Sequence, residues 1–149
     1  QSTKYMASLS TVLDNLNADL SNEYKHWHFY INAAIRIQGL YREPVRNFLI
    51  QEAAGEAQHI QEFGALIVGL GGKPTTSVNG FRNDLTTAKS ILEFALEMED
   101  EVVENYVVRK KEAQSLGGVN GAVIEAFIDG QILASRHDAD HIRQMLSGL

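Results

Sequence analysis

The chain has 149 residues, 44% of them hydrophobic and 21% charged, which supplies one ordinary core and excludes a disordered tail. Its net charge is −6 with neutral histidines, so it lacks the basic body that nonspecific phosphate contacts require. Cysteine is absent, which excludes disulfide scaffolds, thiol catalysis and every Cys-ligated zinc or iron–sulfur site.

Four long stretches carry a helical period, and the expected organisation is one domain over residues 1–149. The first, about 9–38, spaces Leu9, Val12 or Leu13, Leu16, Leu20, Glu23, Trp27 and Tyr30 by threes and fours and closes at Gly39. The second, about 44–70, opens on Pro44, whose missing N–H is no loss in a first helical turn. A Gly-, Thr-, Ser- and Asn-rich joint follows, then helices over about 86–116 and 120–146, separated by a short glycine-rich turn. Short first and third joints make antiparallel neighbours, and the longer middle one can run the length of a bundle. The fold class is therefore all-α, an antiparallel four-helix bundle with one long crossover. No apolar run approaches the roughly 18 residues of a membrane span. The N-terminus shows no signal-peptide core, and a cytoplasmic protein is expected.

Acids interrupt the apolar stripes at two places. Glu23 follows Leu16 and Leu20 on the first helix, and Glu99 follows Leu92 and Leu96 on the third. A carboxylate flanked by core positions is buried, and it then needs a cation, a proton or a metal. Glu56-x-x-His59 and Asp138-x-x-His141 each set an acid and an imidazole on one helical face. Four carboxylates and two imidazoles suit two mid-row transition metals in a bundle core. Glu97, Glu101 and Glu104 compete for the role of Glu99. They form their own row, however, with the spacing of a solvated or cavity-facing edge.

On these residues the chain resembles the ferritin-like superfamily, in particular bacterioferritin and the Dps-like mini-ferritins. The resemblance rests on Asn22-Glu23 with Tyr30 seven residues on, Glu56-x-x-His59, and Leu70-Gly71-Gly72-x-Pro74. The 33 residues from Glu23 to Glu56 match the family's spacing, whereas Glu99 and Asp138 are 39 apart. The resemblance implies Glu23 and Glu99 as terminal carboxylates, Glu56 and Asp138 as bridging ones, and His59 and His141 as one nitrogen ligand each. Tyr30 matches a tyrosine beside the di-iron centre and is the candidate catalytic residue. Asp138 is one methylene shorter than the family's glutamate. Ala57 stands where bacterioferritin has its haem-binding methionine, so no haem is expected there. His26 and His28 read as exposed or interface residues.

The implied activity is a ferroxidase with two iron ions per subunit, manganese being the alternative metal. Fe(II) is the substrate, O2 or H2O2 takes the electrons, and Fe(III) is stored in a cage. Trp27 and Tyr30 stand near Glu23 as further electron donors, although both also suit bundle packing. Eight residues follow His141, too few for a fifth helix, which favours a 12-subunit over a 24-subunit shell. Two other readings remain: a discrete di-iron or di-manganese oxidase or peroxidase without mineral, and a metal-free helical interaction module. Neither membrane nor DNA is an expected partner, since Lys4 is the sole cation among the first twenty residues.

Overall fold

A computed structural model describes residues 7–149 and places four helices in the expected order. Lys4 lies outside the described residues. Helix α1 spans Leu9–Arg36 and starts where the Ser8 hydroxyl accepts from the backbone N–H of Thr11, satisfying one orphan donor of the first turn. It ends two residues before the periodicity does, because Ile37 turns extended and the Gln38 N–H pairs with the Thr86 carbonyl at 2.8 Å. Helix α2 spans Arg42–Gly69 with Pro44 in its first turn. Helix α3, Ala88–Leu116, is capped by the Thr87 hydroxyl, and helix α4 spans Gly118–Leu146.

The corner between α3 and α4 is tighter than the sequence suggests, a single residue long. Gly117 and Gly118 both take positive φ, which lets the chain reverse with no intervening loop. Gly121 then passes so close to α3 that a Cβ there would lie 2.5 Å from the Ala113 carbonyl oxygen.

Residues 70–87 cross the length of the bundle, laid along α1. Asn17 holds the Lys73 carbonyl and the Thr75 N–H at 3.0 and 2.8 Å, and Ser21 shares a 2.8 Å hydrogen bond with Ser77. At the far end Gln38 and Thr87 form an isolated parallel bridge. The crossover returns the chain to the end where α1 stops, so α3 runs antiparallel to α1.

The core falls into two apolar clusters stacked along the axis. One gathers Phe29, Tyr30, Ile37, Leu49, Ile91 and Leu92, and the other Leu16, Leu20, Phe63, Ile67, Tyr106 and Ile124. Between them lies a belt of buried polar side chains, including Glu23, His26, Glu56 and Glu99. No helix of the described residues is long and apolar enough to cross a membrane.

A buried ion pair ties α1 to α3 just beyond that belt. Arg109 grips both oxygens of Asp19, Nε to Oδ2 at 2.7 Å and Nη2 to Oδ1 at 3.0 Å, and also reaches Glu112 at 2.9 Å. Burial pushes the Asp19 carboxyl up to about 6, with the Arg109 guanidinium pulling it back down. Removing one partner strands a charge away from water. Arg109→Met is therefore expected to cost about 3 kcal/mol in urea unfolding, and Asp19→Leu combined with Arg109→Met to recover most of that loss.

Candidate metal centre

Helical spacing brings the belt together. Glu23 and Tyr30 stand seven residues apart on one stripe of α1, and Glu99 and Tyr106 repeat that spacing on α3. Because the two helices are antiparallel, the pairs cross. The Tyr30 hydroxyl donates to Glu99 Oε2 at 2.5 Å, and the Tyr106 hydroxyl donates to Glu23 Oε1. Both tyrosines are fully buried. Each phenol thus fixes one carboxylate oxygen of a glutamate on the facing helix.

From α2, Glu56 enters between the two glutamates and His59 follows one turn later. His59 Nδ1 is 3.6 Å from Glu56 Oε2 and 3.9 Å from Glu23 Oε2. These distances are too long for hydrogen bonds. They suit atoms on either side of an ion with bonds of about 2.1 Å. Glu23 Oε2, Glu56 Oε2, His59 Nδ1 and His26 Nε2 are all buried without a hydrogen-bond partner. Such orphans are costly in an interior unless something binds them, so the donor set fits a metal.

Ligand atoms converge in three overlapping groups: Glu23, Glu56 and His59; His26, Glu56 and Glu99; and Glu52, Glu56, Glu99 and Asp138. Within each group they lie within 4.8 Å of one another. Glu56 belongs to all three. Glu99 is buried whereas Glu97, Glu101 and Glu104 are exposed, which assigns the inward position on α3 to Glu99.

Three placements differ from expectation. His26 is buried at 1% exposure, its Nδ1 3.7 Å from Glu99 Oε2, instead of exposed or at an interface; His28 is exposed as expected. Its spacing carried a signal, because Glu23-x-x-His26 is itself an acid and imidazole on one face. Glu52 joins the cluster from one turn before Glu56, with no histidine three residues on to mark it in the sequence. His141 is exposed, tilted against Phe48 with ring centroids 5.3 Å apart, and belongs to none of the three groups. It lines an opening with Glu52, His137 and Asp138. Trp27 packs against His28 and lines an outward groove with Ile31 and Phe81.

A scan against family models matches residues 13–146 to the ferritin-like domain. The chain belongs to the ferritin-like family. Among solved structures, it is 25% identical to a ferritin-like diiron-carboxylate protein from Bacillus anthracis, covering 93% of this chain and 96% of that one with a TM-score of 0.85. A bacterioferritin from Desulfovibrio desulfuricans is 22% identical over 93% of this chain and 80% of its own, with a TM-score of 0.85. A Dps protein from Vibrio cholerae O1 shares the fold at 13% identity, over 97% and 99%, with a TM-score of 0.86. None of the curated proteins matches the chain in sequence. The solved structures similar to this chain include proteins described as ferritin-like and diiron-carboxylate.

Without an ion, the crowded acids of this ferritin-like site share protons. Burial alone pushes Glu23 up, but the neighbouring Glu56, His59 and His26 outweigh it and hold the carboxyl at about 2. Glu56, buried and facing the charge of Glu23, sits well above the carboxylate range. Burial and the neighbouring Asp138 carboxylate raise Glu52 to about 9; Asp138 itself rises to about 6, mainly through burial and Glu99. His26 and His59 are raised as well, burial being outweighed by Glu99 for the first and Glu23 for the second.

The sign of the pH dependence follows. A carboxyl such as Glu52, at 4.5 when free and about 9 when folded, makes the folded chain bind more protons than the unfolded one across that window. Its contribution is complete below 4.5 and is lost as pH rises through about 9. The raised histidines act in the same sense, and Glu23 opposes only between about 2 and 4.5. The melting temperature of the chelator-treated protein is expected to fall steadily between pH 6 and 9. A flat or rising profile would contradict the proton-sharing arrangement.

Proposed function

We propose that the chain is a ferroxidase subunit that oxidises Fe(II) at a dinuclear site inside its bundle and stores Fe(III) in a shell of copies. The supporting observation is the convergence of buried, unpartnered carboxylate and imidazole atoms from different helices on one belt. Glu23 and His59 hold one Fe(II), Glu99 and Asp138 hold part of the other, and Glu56 reaches both. The two Fe(II) each give one electron and become Fe(III), and with two protons O2 is reduced to H2O2, or H2O2 to two H2O. Hard oxygen ligands favour the ferric state, which supplies driving force to the step.

The protein's own part is to position ligands and to manage protons. Tyr30 and Tyr106 act as positioning residues, each holding a carboxylate across the α1–α3 interface. Glu56 and Glu52 keep protons in the empty site and release them when Fe(II) arrives, so binding weakens in acid. Tyr30 also stands as the electron donor nearest Glu99. Storage requires self-association, for which α1 and its end offer exposed Ile31, Ile35, Leu40 and Tyr41. Exposed apolar groups of this kind favour contact with another surface. The row Glu97, Glu101 and Glu104 gives α3 an acidic edge suited to Fe(III) on an inner wall. Twelve copies are the proposed number.

Glu56→Ala and His59→Ala are each expected to slow Fe(II) oxidation at least about 100-fold, followed by ferric absorbance, with unchanged helical circular dichroism. Wild-type rates in both variants would overturn the site. Tyr30→Phe is expected to retain metal binding and slow oxidation by about tenfold, since it removes a donor without removing a ligand. A native mass near twelve subunits with iron-rich cores supports storage, and a dimer that turns over without mineral indicates the discrete oxidase instead.

A further inference from the structure

The four helices pair off as two halves, α1–α2 and α3–α4, and the two halves place their site residues in matching order. Glu23 and Tyr30 on α1 correspond to Glu99 and Tyr106 on α3, and Glu56 and His59 on α2 to Asp138 and His141 on α4. Perfect correspondence would set His141 beside Glu99 as His59 is set beside Glu23. The structure breaks the correspondence at two positions. His141 is exposed against Phe48 and joins no converging group, while α1 carries His26 where α3 carries Val102.

His26 stands where the missing imidazole is needed. Its side chain is 1% exposed, and it offers a ligand atom within 4.8 Å of one from Glu56 and one from Glu99. Nδ1 lies 3.7 Å from Glu99 Oε2, beyond hydrogen-bond reach. Nε2 is buried and has no partner. The ring meets Tyr30 in a T-shaped contact, centroids 6.5 Å apart, and Tyr30 in turn holds Glu99. A buried imidazole satisfies its two nitrogens with polar partners or with a metal, and here one nitrogen is wholly free.

We propose that α1 supplies the nitrogen ligand of the second metal ion, through a seat formed by His26, Glu56 and Glu99, and that His141 is not a ligand. This rests on the dinuclear reading of the site above. The first seat, Glu23, Glu56 and His59, and this second seat share Glu56, so one carboxylate links the two ions. Both imidazoles then come from the first half of the chain. The second half contributes oxygen ligands alone, Glu99 and Asp138, with Glu52 of α2 beside Asp138. Each seat so composed has one imidazole and two carboxylates, Glu56 being common to both.

The test uses the full chain loaded with Co(II), which does not undergo the oxidation reaction and reports its ligands by spectroscopy. The variants are His26→Val, which copies the equivalent residue of α3, His26→Gln, which keeps a polar side chain of similar reach should the first not fold, and His141→Ala. The wild type is expected to bind two Co(II) per chain by equilibrium dialysis. In proton NMR it should show two exchangeable, strongly shifted imidazole N–H signals, from His59 and His26. The His26 variants should weaken the second Co(II) at least about tenfold and lose one of the two signals. His141→Ala should keep both ions and both signals. Retention of both ions and signals in a folded His26 variant overturns the inference and leaves the dinuclear reading standing. Loss of the second ion in His141→Ala overturns it as well, whether or not the His26 variants also lose it. A wild type that binds no Co(II) overturns both readings together.

Discussion

Three glutamates buried at one level of a helical bundle are the constraint on which the rest of the protein depends. Glu23, Glu56 and Glu99 are each at most 3% exposed, in a place where apolar packing alone has no use for them. Two apolar clusters, one toward each end, stabilise the bundle and leave the middle free to be polar. Like charges so close together do not all ionise in a dry interior. Glu23 is held low by its neighbours, while burial and neighbouring acids push Glu56 and Glu52 up, toward holding their protons to higher pH.

The crossed phenols explain how such a belt keeps its geometry. Each tyrosine is rooted in an apolar cluster and reaches into the belt with one hydroxyl, so hydrophobic packing at the ends positions carboxylates in the middle. The ion pair of Arg109 and Asp19 adds a second tie between the same helices, within one turn of Glu23 and of Tyr106. Both ties join α1 to α3, which are not joined by a short loop. Their chain connection is the long path through α2 and the crossover, and the side chains supply the register that this path leaves open.

Much of this was readable in the sequence. Leu16, Leu20, Glu23, Trp27 and Tyr30 at threes and fours require a helix with an acid on its inner stripe, and the same holds for Leu92, Leu96 and Glu99. Glycines at 39, 71 and 117 mark the helix ends, since positive φ is cheap for them alone. Helix termini shifted by two residues at several ends, because caps and neighbours decide them. Ile37 leaves α1 to let Gln38 pair with Thr86, a contact 48 residues away in the chain.

What the sequence determined by itself was the helical class, the four-part order and the presence of inward acids, since all three follow from a local period. The tertiary structure alone decided which side chains meet. His26 looked like a surface residue between Lys25 and Trp27, yet the rotation of α1 against α2 and α3 turns it to Glu56 and Glu99. His141 shares a face with Asp138 along α4, yet it is exposed against Phe48 and joins no converging group. Glu52 and Arg109 gained their roles from partners on other helices. A period of 3.6 residues fixes which residues share a stripe, and only packing fixes where each stripe points.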